Sequence, residues 1–132
     1  MTIENAMSER EVLIKSYNPF VVKLKYSFQD NACIYFVMDY VAGGQLFDYL
    51  KKQGKFDLQM TRFYASEVLL GLQHLHEDLG VIYRDLKPEN ILMELSGHVK
   101  LTDFGLSKVG ARTSYSICGT MEYLAPEILE SK

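Results

Sequence analysis

The octapeptide Tyr83-Arg84-Asp85-Leu86-Lys87-Pro88-Glu89-Asn90 concentrates charged and amide side chains in one short polar segment. It follows the apolar pair Val81-Ile82 and precedes two short apolar runs, Ile91–Met93 and Val99–Leu101, that flank Ser96-Gly97. Apolar runs of strand length on either side of such a pair predict a β-hairpin. We therefore place the octapeptide on a loop that leads directly into a hairpin.

This hairpin predicts a pair of metal ligands. If it is symmetric about Ser96-Gly97, residue 92 faces 101, and Asn90 faces Asp103 at the open end. Cross-strand Cβ atoms in such a pair lie roughly 5 Å apart. An amide oxygen and a carboxylate are hard ligands, suited to Mg²⁺ that also binds phosphate oxygens. Gly105, two residues beyond Asp103, allows the backbone to bend sharply there.

Asp85 and Lys87 complete the groups that phosphoryl transfer requires. The reaction needs a group that orients and deprotonates a hydroxyl, a cation near the moving phosphate, and metal that neutralises its oxygens. Asp85, Lys87 and the pair of Asn90 with Asp103 correspond to these three needs. A solvated polar loop explains either aspartate alone, because most aspartates are exposed, but it does not explain the whole set at these spacings.

The N-terminal third predicts a helix, a hairpin and a second, short helix. The predicted elements are a helix over residues 2–15, strands over 20–28 and 33–40, and a helix over 45–52. Asn18-Pro19 ends the first helix, because proline disfavours helix at the residue before it. Gln29-Asp30-Asn31-Ala32 separates the strands as a turn, and Gly43-Gly44 precedes the short helix.

The strongest helix signal covers residues 57–78. Its apolar side chains recur at steps of four and three and so form one stripe for burial: Met60, Tyr64, Val68, Leu72 and Leu75. Asp57 predicts the N-cap and Gly80 the stop. Residues 106–124 have little periodicity and predict a long loop, after which Pro126 can start a helix.

The composition is that of a globular domain or part of one. The 132 residues are 48% hydrophobic and 23% charged, which excludes bulk disorder. With 14 Lys+Arg and 17 Asp+Glu the net charge is −3, which argues against a nucleic-acid binder with a basic face. Cys33 and Cys118 form neither a disulfide framework nor a metal-ligand spacing, so we expect a reducing compartment, cytoplasmic or also nuclear. No apolar run approaches the roughly 20 residues of a membrane span.

Three motifs in this order resemble the signature set of protein kinases. Residues 83–90 match the catalytic loop, with Tyr83 where most kinases have His; Asp103-Phe104-Gly105 matches the metal-binding triplet; Ala125-Pro126-Glu127 matches the end of the activation segment. Tyr83, Cys118-Gly119-Thr120 and residues 122–127 are similar to the AGC group of serine/threonine kinases. Residues 28–44 resemble the cyclic-AMP-dependent kinase and residues 97–102 the ribosomal-protein kinases, which leaves the subfamily open.

The resemblance implies an α+β fold of the two-lobe kinase type, present in part. Residues 1–40 would be a remnant of the N-terminal lobe, and residues 41–132 would hold the hinge, the catalytic loop and the activation segment. A Gly-rich phosphate loop and an ATP-positioning lysine do not precede Glu9. A kinase domain is about twice this length, so we expect the isolated chain to be marginally stable and inactive.

The resemblance also implies catalytic and metal-binding roles, carried over by matching position. Asp85 would be the catalytic base, Lys87 would steady the transferring phosphate, and Asn90 and Asp103 would hold magnesium. Lys87 and Asp85 with the hydroxyl of Thr120 imply a serine/threonine substrate rather than tyrosine.

An ATP site follows from the same resemblance. Its implied residues are Glu9, Met38, Asp39, Val41, Gln45, Glu89 and Leu92. Glu9 would pair the ATP-positioning lysine, although a surface glutamate is the alternative for so loose a motif. Met38 would border the adenine, and the backbone of Asp39 and Val41 would hydrogen-bond it.

Regulation and substrate choice are implied as well. Ser116 occupies the activation-loop phosphorylation position, where a phosphate from an upstream activating kinase could pair with Arg84 and order the loop. A Ser-rich loop without that role is the alternative. AGC kinases favour arginine before the target residue; Glu89 keeps one of the acidic groups that bind it, whereas Gln45 replaces another with an uncharged amide. We expect a protein substrate with basic residues and a weakened arginine preference.

Several interpretations remain open at this level. Leu13, Leu24, Tyr83 and Phe104 resemble the apolar stack that links kinase lobes, although ordinary core residues are the alternative. The histidines, His74, His76 and His98, converge with no metal-ligand pattern and are expected to be structural or on the surface. A kinase-derived interaction module and a nucleotide-binding domain without phosphate transfer are the alternatives to a kinase, and intact Asp85, Asn90 and Asp103 argue against the first.

Overall fold

The computed structural model describes residues 3–110 and 118–130. It confirms an α+β arrangement of short sheets and helices. The helices are α1 (Ile3–Lys15), α2 (Leu46–Gln53), α3 (Leu58–Gln73) and α4 (Pro126–Leu129), and the strands are β1 (Leu24–Gln29), β2 (Ile34–Met38), β3 (Val81–Ile82), β4 (Ile91–Met93), β5 (Val99–Leu101) and β6 (Lys108–Val109). The three predicted longer helices and both hairpins are present, with ends shifted by a few residues.

Helix α1 packs beside the antiparallel hairpin of β1 and β2. Its buried residues recur at helical spacing: Ala6, Glu9, Val12 and Leu13. The turn between the strands is closed by Asp30, whose Oδ1 accepts the backbone N–H groups of Ala32 and Cys33 at 2.7 Å. An aspartate that replaces backbone acceptors in this way explains why the polar tetrapeptide at residues 29–32 forms the predicted turn.

Helix α3 begins as predicted, but its most buried line is offset from the predicted stripe. The Asp57 side chain caps the helix by accepting the Met60 N–H at 2.8 Å. Along α3 and the turn that follows it, the buried residues are Glu67, Gly71 and Leu75. The residues of the predicted stripe beside them are only half-buried: Tyr64, Val68 and Leu72. A π-helical segment, His74–Asp78, follows, and Gly80 ends it with φ +64°.

The hairpin of β4 and β5 has a register one residue away from the predicted one. Its pairs are Ile91 with Leu101, Leu92 with Lys100 and Met93 with Val99. The Glu94 N–H donates to the His98 carbonyl at 2.8 Å, so the connection has three residues rather than two. Gly97 closes that turn at φ +91°, the usual solution for a three-residue hairpin loop. The prediction that Asn90 faces Asp103 is therefore wrong, because Asn90 instead pairs with Thr102, whose N–H donates to its carbonyl at 3.1 Å.

Both outer edges of this hairpin are bound to other parts of the chain. On the β5 side, Leu101 donates to the Phe20 carbonyl at 2.8 Å and accepts from the Val22 N–H at 3.0 Å. On the β4 side, Met93 exchanges two 2.7 Å hydrogen bonds with Gly43 and Gly44. These bonds on both sides hold the short hairpin in place between the segments around Phe20 and Gly43.

The segment that follows the hairpin is more ordered than the predicted loop. Strand β6 pairs antiparallel with β3, and a 3₁₀ turn, Met121–Tyr123, precedes α4. Two-residue strands carry too little periodicity to be seen in sequence. Helix α4 begins at Pro126, as predicted.

One apolar core connects these elements. Its buried members come from helices and strands along the chain and from the segments between them: Val12, Leu13, Val21, Leu46, Leu75, Val81, Tyr83, Ile91, Met93, Val99, Leu101 and Phe104. Leu24 packs against it half-buried, and the rings of Tyr83 and Phe104 lie 5.4 Å apart between centroids. The four residues of the suggested stack thus share one core, which both interpretations require.

Candidate active site

The centre of the site is a closed set of contacts around Asp85. The Lys87 Nζ lies 3.0 Å from Asp85 Oδ2 and donates to the Thr120 hydroxyl at 2.8 Å. The same hydroxyl donates to Asp85 Oδ1 at 2.8 Å. Residues that are 33 and 35 positions apart therefore meet at one carboxylate. All three predicted catalytic side chains are brought together.

Asn90 holds the other side of Asp85. Its amide nitrogen donates to the Asp85 carbonyl at 2.9 Å and to Asp85 Oδ2 at 3.0 Å. The 3₁₀ turn Pro88–Asn90, with its 3.0 Å bond from the Asn90 N–H to the Lys87 carbonyl, brings the two residues close. Asp85 and Asn90 are both buried, so the carboxylate has a fixed orientation.

The ionisation states of Asp85 and Lys87 follow from these contacts. Burial by itself would raise the pKa of the Asp85 carboxyl, but hydrogen bonds from Lys87, Thr120 and Asn90 and the charge of Lys87 outweigh it and lower that pKa. The hydrogen bond to Asp85 raises the pKa of the Lys87 ammonium. At neutral pH the site therefore holds a carboxylate and an ammonium as an ion pair.

Two residues of the site have left-handed backbone conformations without being glycine. Arg84 has φ +69° and Asp103 has φ +60°, and each such conformation costs about 1–3 kcal/mol unless its surroundings hold it. Arg84 is held by its Nε, which donates to the Leu106 carbonyl at 2.5 Å. The expected bend after the hairpin thus begins at Asp103, while Gly105 lies in the turn that the Ser107 N–H closes onto the Phe104 carbonyl at 2.9 Å.

Tyr83 joins the predicted catalytic loop, residues 83–90, to the predicted metal-binding triplet, residues 103–105. Its buried hydroxyl donates to the Thr102 carbonyl, directly before Asp103. The Ser107 hydroxyl donates to the Tyr83 carbonyl at 3.3 Å on the other side of the triplet. Burial, followed by the charges of Asp103 and Asp85, raises the pKa of Tyr83, so it stays a neutral donor. Apart from the Tyr83 motif match, no sequence pattern indicates these two bonds.

Gly119 allows Thr120 to reach the catalytic loop. Its φ is +108°, and a Cβ there would lie 2.7 Å from the Arg84 carbonyl oxygen. Any side chain would have to displace that backbone, so glycine is required for this close approach. The close packing of residue 119 against the loop therefore explains why this residue is glycine.

The residues present fit a magnesium ion that binds through few protein ligands. The Asn90 amide nitrogen donates to Asp85, which leaves its Oδ1 as the atom that a metal would take. The exposed carboxylate of Asp103 accepts one long bond, 3.3 Å, from the Gly105 N–H. Mg²⁺ prefers such oxygen donors and completes its shell with water and phosphate. Within residues 3–110 and 118–130 no group of three His, Cys, Asp or Glu side chains could hold a metal alone.

Glu9 is buried, which excludes the surface alternative. Burial and then the negative charge of Asp103 raise the pKa of its carboxyl, and a hydrogen bond from the Phe104 backbone opposes this in part. A carboxyl group in such surroundings is stabilised by a nearby cation. The structure thus fits the predicted role of Glu9 as the partner of a lysine.

The predicted adenine edge follows strand β2. The Asp39 N–H donates to the Lys23 carbonyl at 3.0 Å, and its carboxylate pairs with Lys25 at 3.0 Å. Within the described parts of the chain, neither the Asp39 carbonyl nor the Val41 N–H has a hydrogen-bond partner. Met38 at the end of β2 is partly exposed. These groups could therefore hydrogen-bond and border a planar base.

The other predicted nucleotide and substrate residues lie where α2 meets the catalytic loop. Gln45 forms an antiparallel bridge with Leu92 of β4, and its side chain is exposed at the start of α2 without capping it. Glu89 is half-buried, and its Oε2 has no hydrogen-bond partner among the described residues. A buried carboxylate oxygen without a partner is costly and fits a site that a ligand completes.

Ser116 lies outside the described residues, as do its neighbours Thr113 and Ser114. The pairing of a phosphate there with Arg84 therefore stays a prediction. His98 is structural, as expected, but its partner, Glu67, was not anticipated. That contact spans 31 positions, and a single glutamate on a helix gives no signal of it.

The fold and this site define a class. The sequence matches the family described as a protein kinase domain over residues 1–132, and the chain belongs to the protein kinase family. Within that family it is of the AGC type, as its relatives show. The predicted family resemblance is confirmed.

Curated relatives give the extent of the match. The chain is 47% identical over 130 residues to the cAMP-dependent protein kinase catalytic subunit 3 of Drosophila melanogaster, covering 98% of this chain and 22% of that protein. It is 51% identical over 132 residues to the RAC family serine/threonine-protein kinase homolog of Dictyostelium discoideum, with coverage of 97% and 30%. It is 52% identical over 124 residues to ribosomal protein S6 kinase alpha-1 of Homo sapiens, with coverage of 92% and 17%. The chain thus spans less than a third of each relative.

The helices of the described residues include none that is both long and apolar enough to cross a membrane.

Proposed function

We propose that this chain supplies the catalytic loop of a serine/threonine protein kinase, which transfers the γ-phosphate of ATP to a protein hydroxyl. The observation that carries the proposal is the joint contact of Lys87 and Thr120 with the buried Asp85 carboxylate. A carboxylate that is oriented on both oxygens and paired with one ammonium suits in-line transfer, where positioning and charge stabilisation dominate catalysis.

Each of the chain's own residues has a definable part in this reaction. Asp85 would orient the attacking hydroxyl and accept its proton as the new bond to phosphorus forms. Because the pKa of Asp85 is lowered, the carboxylate is a weak base, and the proton moves to it late. Lys87 would turn from Asp85 towards the moving phosphate and offset its charge. Asn90 and Asp103 would hold magnesium, which would neutralise charge on the phosphate oxygens.

The nucleotide, the activator and the setting form part of the same proposal. ATP would lie between the hinge, at Met38, Asp39 and Val41, and the catalytic loop, with Glu9 paired to a lysine of the complete domain. Ser116 would be phosphorylated by an upstream kinase and pair with Arg84. We propose that the chain acts within a longer kinase polypeptide in the cytoplasm, or also in the nucleus.

The function is tested by phosphate transfer in the complete kinase that carries this sequence. With Mg²⁺ and labelled ATP, we expect transfer to a basic peptide that contains serine or threonine, and at least about 100-fold less to the same peptide with tyrosine. A longer acceptor changes the distance from the hydroxyl to Asp85, and misplacement by about 1 Å can cost 10²-fold.

Two results would contradict this proposal. Equal transfer to the tyrosine peptide would remove the serine/threonine assignment. Nucleotide binding by calorimetry without any transfer would favour the nucleotide-binding alternative, and absence of both would favour an interaction module.

The substrate preference rests on Glu89 and Gln45. Glu89 lies within the catalytic loop and Gln45 bridges to Leu92 just after it, but only Glu89 carries a charge, and one of its oxygens is buried without a partner among the described residues. A substrate guanidinium would satisfy that oxygen by a charge-assisted bond. We infer that the kinase reads arginine before the target residue through Glu89, with a smaller contribution at Gln45.

Restoring the missing charge should strengthen this preference. We expect Gln45→Glu to raise kcat/KM about 2- to 5-fold for an arginine peptide relative to its alanine counterpart, because an exposed ion pair contributes about 0.2–1 kcal/mol. Peptide-array profiling of the complete kinase measures the ratio. Gln53→Glu, an exposed change at the other end of α2, is the matched control and should leave the ratio unchanged. An arginine preference that is already full in the unmodified kinase would contradict the inference.

A further inference from the structure

Glu67 is a buried charged residue that the proposed reaction does not use. It lies on the face of α3 towards the catalytic hairpin and is 6% exposed. Burial of a carboxylate is costly unless hydrogen bonds compensate for the lost water. Both of its oxygens are in fact bonded, and both partners belong to the hairpin.

The two bonds fix the turn end of strand β5. Glu67 Oε2 accepts the Val99 N–H at 2.9 Å, and Oε1 lies 2.5 Å from His98 Nδ1. Since a carboxylate only accepts, the His98 Nδ1 carries the proton. The His98 side chain is 52% exposed and covers the carboxylate from the solvent side.

The helix backbone itself lies close to the same strand. A Cβ at Gly71, one turn after Glu67, would lie 3.0 Å from the Leu101 Cδ1 and 3.2 Å from the Phe20 carbonyl oxygen. Glu67 and Gly71 therefore form one contact line along α3. This line sets where β5 rests on the helix.

The hairpin in turn carries both magnesium ligands. Asn90 directly precedes β4, and Asp103 follows β5 after Thr102 alone. Strands of three residues transmit a shift at one end to the other, because paired short strands move as a unit. The position of β5 on α3 thus determines how Asp103 stands relative to Asn90.

We propose that Glu67 is a positioning residue for the magnesium site. By binding Val99 and His98 it fixes the hairpin so that the oxygens of Asn90 and Asp103 face one ion. This rests on the proposed function, which requires Mg²⁺ with ATP. It assigns a role to a residue that touches neither nucleotide nor metal.

The test measures how strongly nucleotide binding depends on magnesium. In the complete kinase, calorimetry with a non-hydrolysable ATP analogue gives Kd with and without Mg²⁺. We expect Glu67→Ala to weaken binding about 3- to 10-fold with Mg²⁺ and less than about 2-fold without it. Loss of a group that orients a metal ligand directly costs about 10–100-fold in metal affinity, and Glu67 acts less directly, through the hairpin. The Mg²⁺ concentration for half-maximal rate should rise by a similar factor.

Two milder variants keep the test decisive if Glu67→Ala does not fold. Glu67→Gln retains an oxygen for the Val99 N–H. It should therefore weaken magnesium-dependent binding less than the double variant that carries both Glu67→Gln and His98→Ala. Asp57→Ala is the matched control, because it removes the N-cap of the same helix and should lower the Tm without changing the magnesium dependence.

The outcomes separate this inference from the proposed function. Weakening to the same extent with and without Mg²⁺ would show a general structural role and overturn the inference. The inference is also overturned if Glu67→Ala, Glu67→Gln and the double variant all match the unmodified kinase in their magnesium dependence. If the unmodified kinase itself binds the analogue without any effect of Mg²⁺, the proposed function fails instead.

Discussion

Asp85→Asn in the complete kinase is expected to lower kcat by about 10²–10⁴-fold, the range for loss of a positioned proton acceptor. The KM for ATP should change by less than about 3-fold, because the effect lies in the transition state. Asparagine keeps an oxygen at the position of Oδ1 that accepts the Thr120 hydroxyl. Its amide nitrogen, at the position of Oδ2, cannot accept from Lys87 or Asn90 as the carboxylate does, so the variant loses the base, its charge and these two contacts. Steady-state phosphate transfer with varied ATP measures both constants.

The control for this variant uses the same substitution away from the site. Asp78 is exposed, and its one partner among the described residues is His74 on the neighbouring turn, at 2.7 Å. Asp78→Asn should therefore leave kcat within about 2-fold of the unmodified value. An Asp85→Asn enzyme that kept more than a tenth of the activity would remove Asp85 from the role of base. It would favour proton transfer directly to the phosphate.

Most of the proposed catalytic site could be predicted because its residues are close together in sequence. Asp85, Lys87 and Asn90 are separated by only a few positions, and a short loop with a 3₁₀ turn brings them into contact. Thr120 is distant and was placed only through the resemblance. No local pattern reports that a hydroxyl 35 positions away will donate to Asp85.

The errors have definite physical causes. Symmetry about Ser96-Gly97 assumed a two-residue turn, but Gly97 adopts a left-handed conformation that closes a three-residue one. The pairing therefore moved by one residue, and Asn90 met Thr102. The prediction that Asn90 and Asp103 face each other across the paired strands was therefore wrong, although both residues belong to the ends of one hairpin.

The burial of two glutamates could not be predicted from the sequence either. Hydrophobic periodicity places apolar side chains on a helix face, so it led to Val68 and Leu72 and passed over Glu67. The structure buries Glu67 because two donors face it, the Val99 N–H at the start of β5 and the ring of His98 directly before that strand. Glu9 is a second instance: the same residue type on α1 is buried where the triplet at residues 103–105 provides the Phe104 backbone donor.

Asp103→Asn is expected to abolish most activity while leaving the fold intact. Loss of the charged metal ligand should lower kcat/KM at physiological Mg²⁺ by at least about 10²-fold, since the metal neutralises the transferred phosphate. Asparagine tolerates a φ near +60° almost as well as aspartate, so the backbone at this position is preserved. Magnesium titration of the rate measures the loss.

Stability should move in a different direction from activity. The negative charge of Asp103 raises the pKa values of Glu9 and Tyr83, so at neutral pH it opposes the ionised form of Glu9. Without that charge the pKa of Glu9 falls towards its ordinary value of 4.5. The ionised carboxylate then costs less in the folded state. We therefore expect the Tm of the metal-free Asp103→Asn kinase to equal or exceed that of the unmodified protein.

Asp103→Ala is the matched comparison, because it also removes the charge but places an alanine at a left-handed position. The conformation costs such a residue about 1–2 kcal/mol, so its Tm should be lower than that of Asp103→Asn at equal loss of activity. An Asp103→Asn protein that lost as much stability as Asp103→Ala would show that Asp103 is retained for the fold. Inactivity with undiminished stability would instead show that the chain keeps an unfavourable charge beside Glu9 for the sake of the metal.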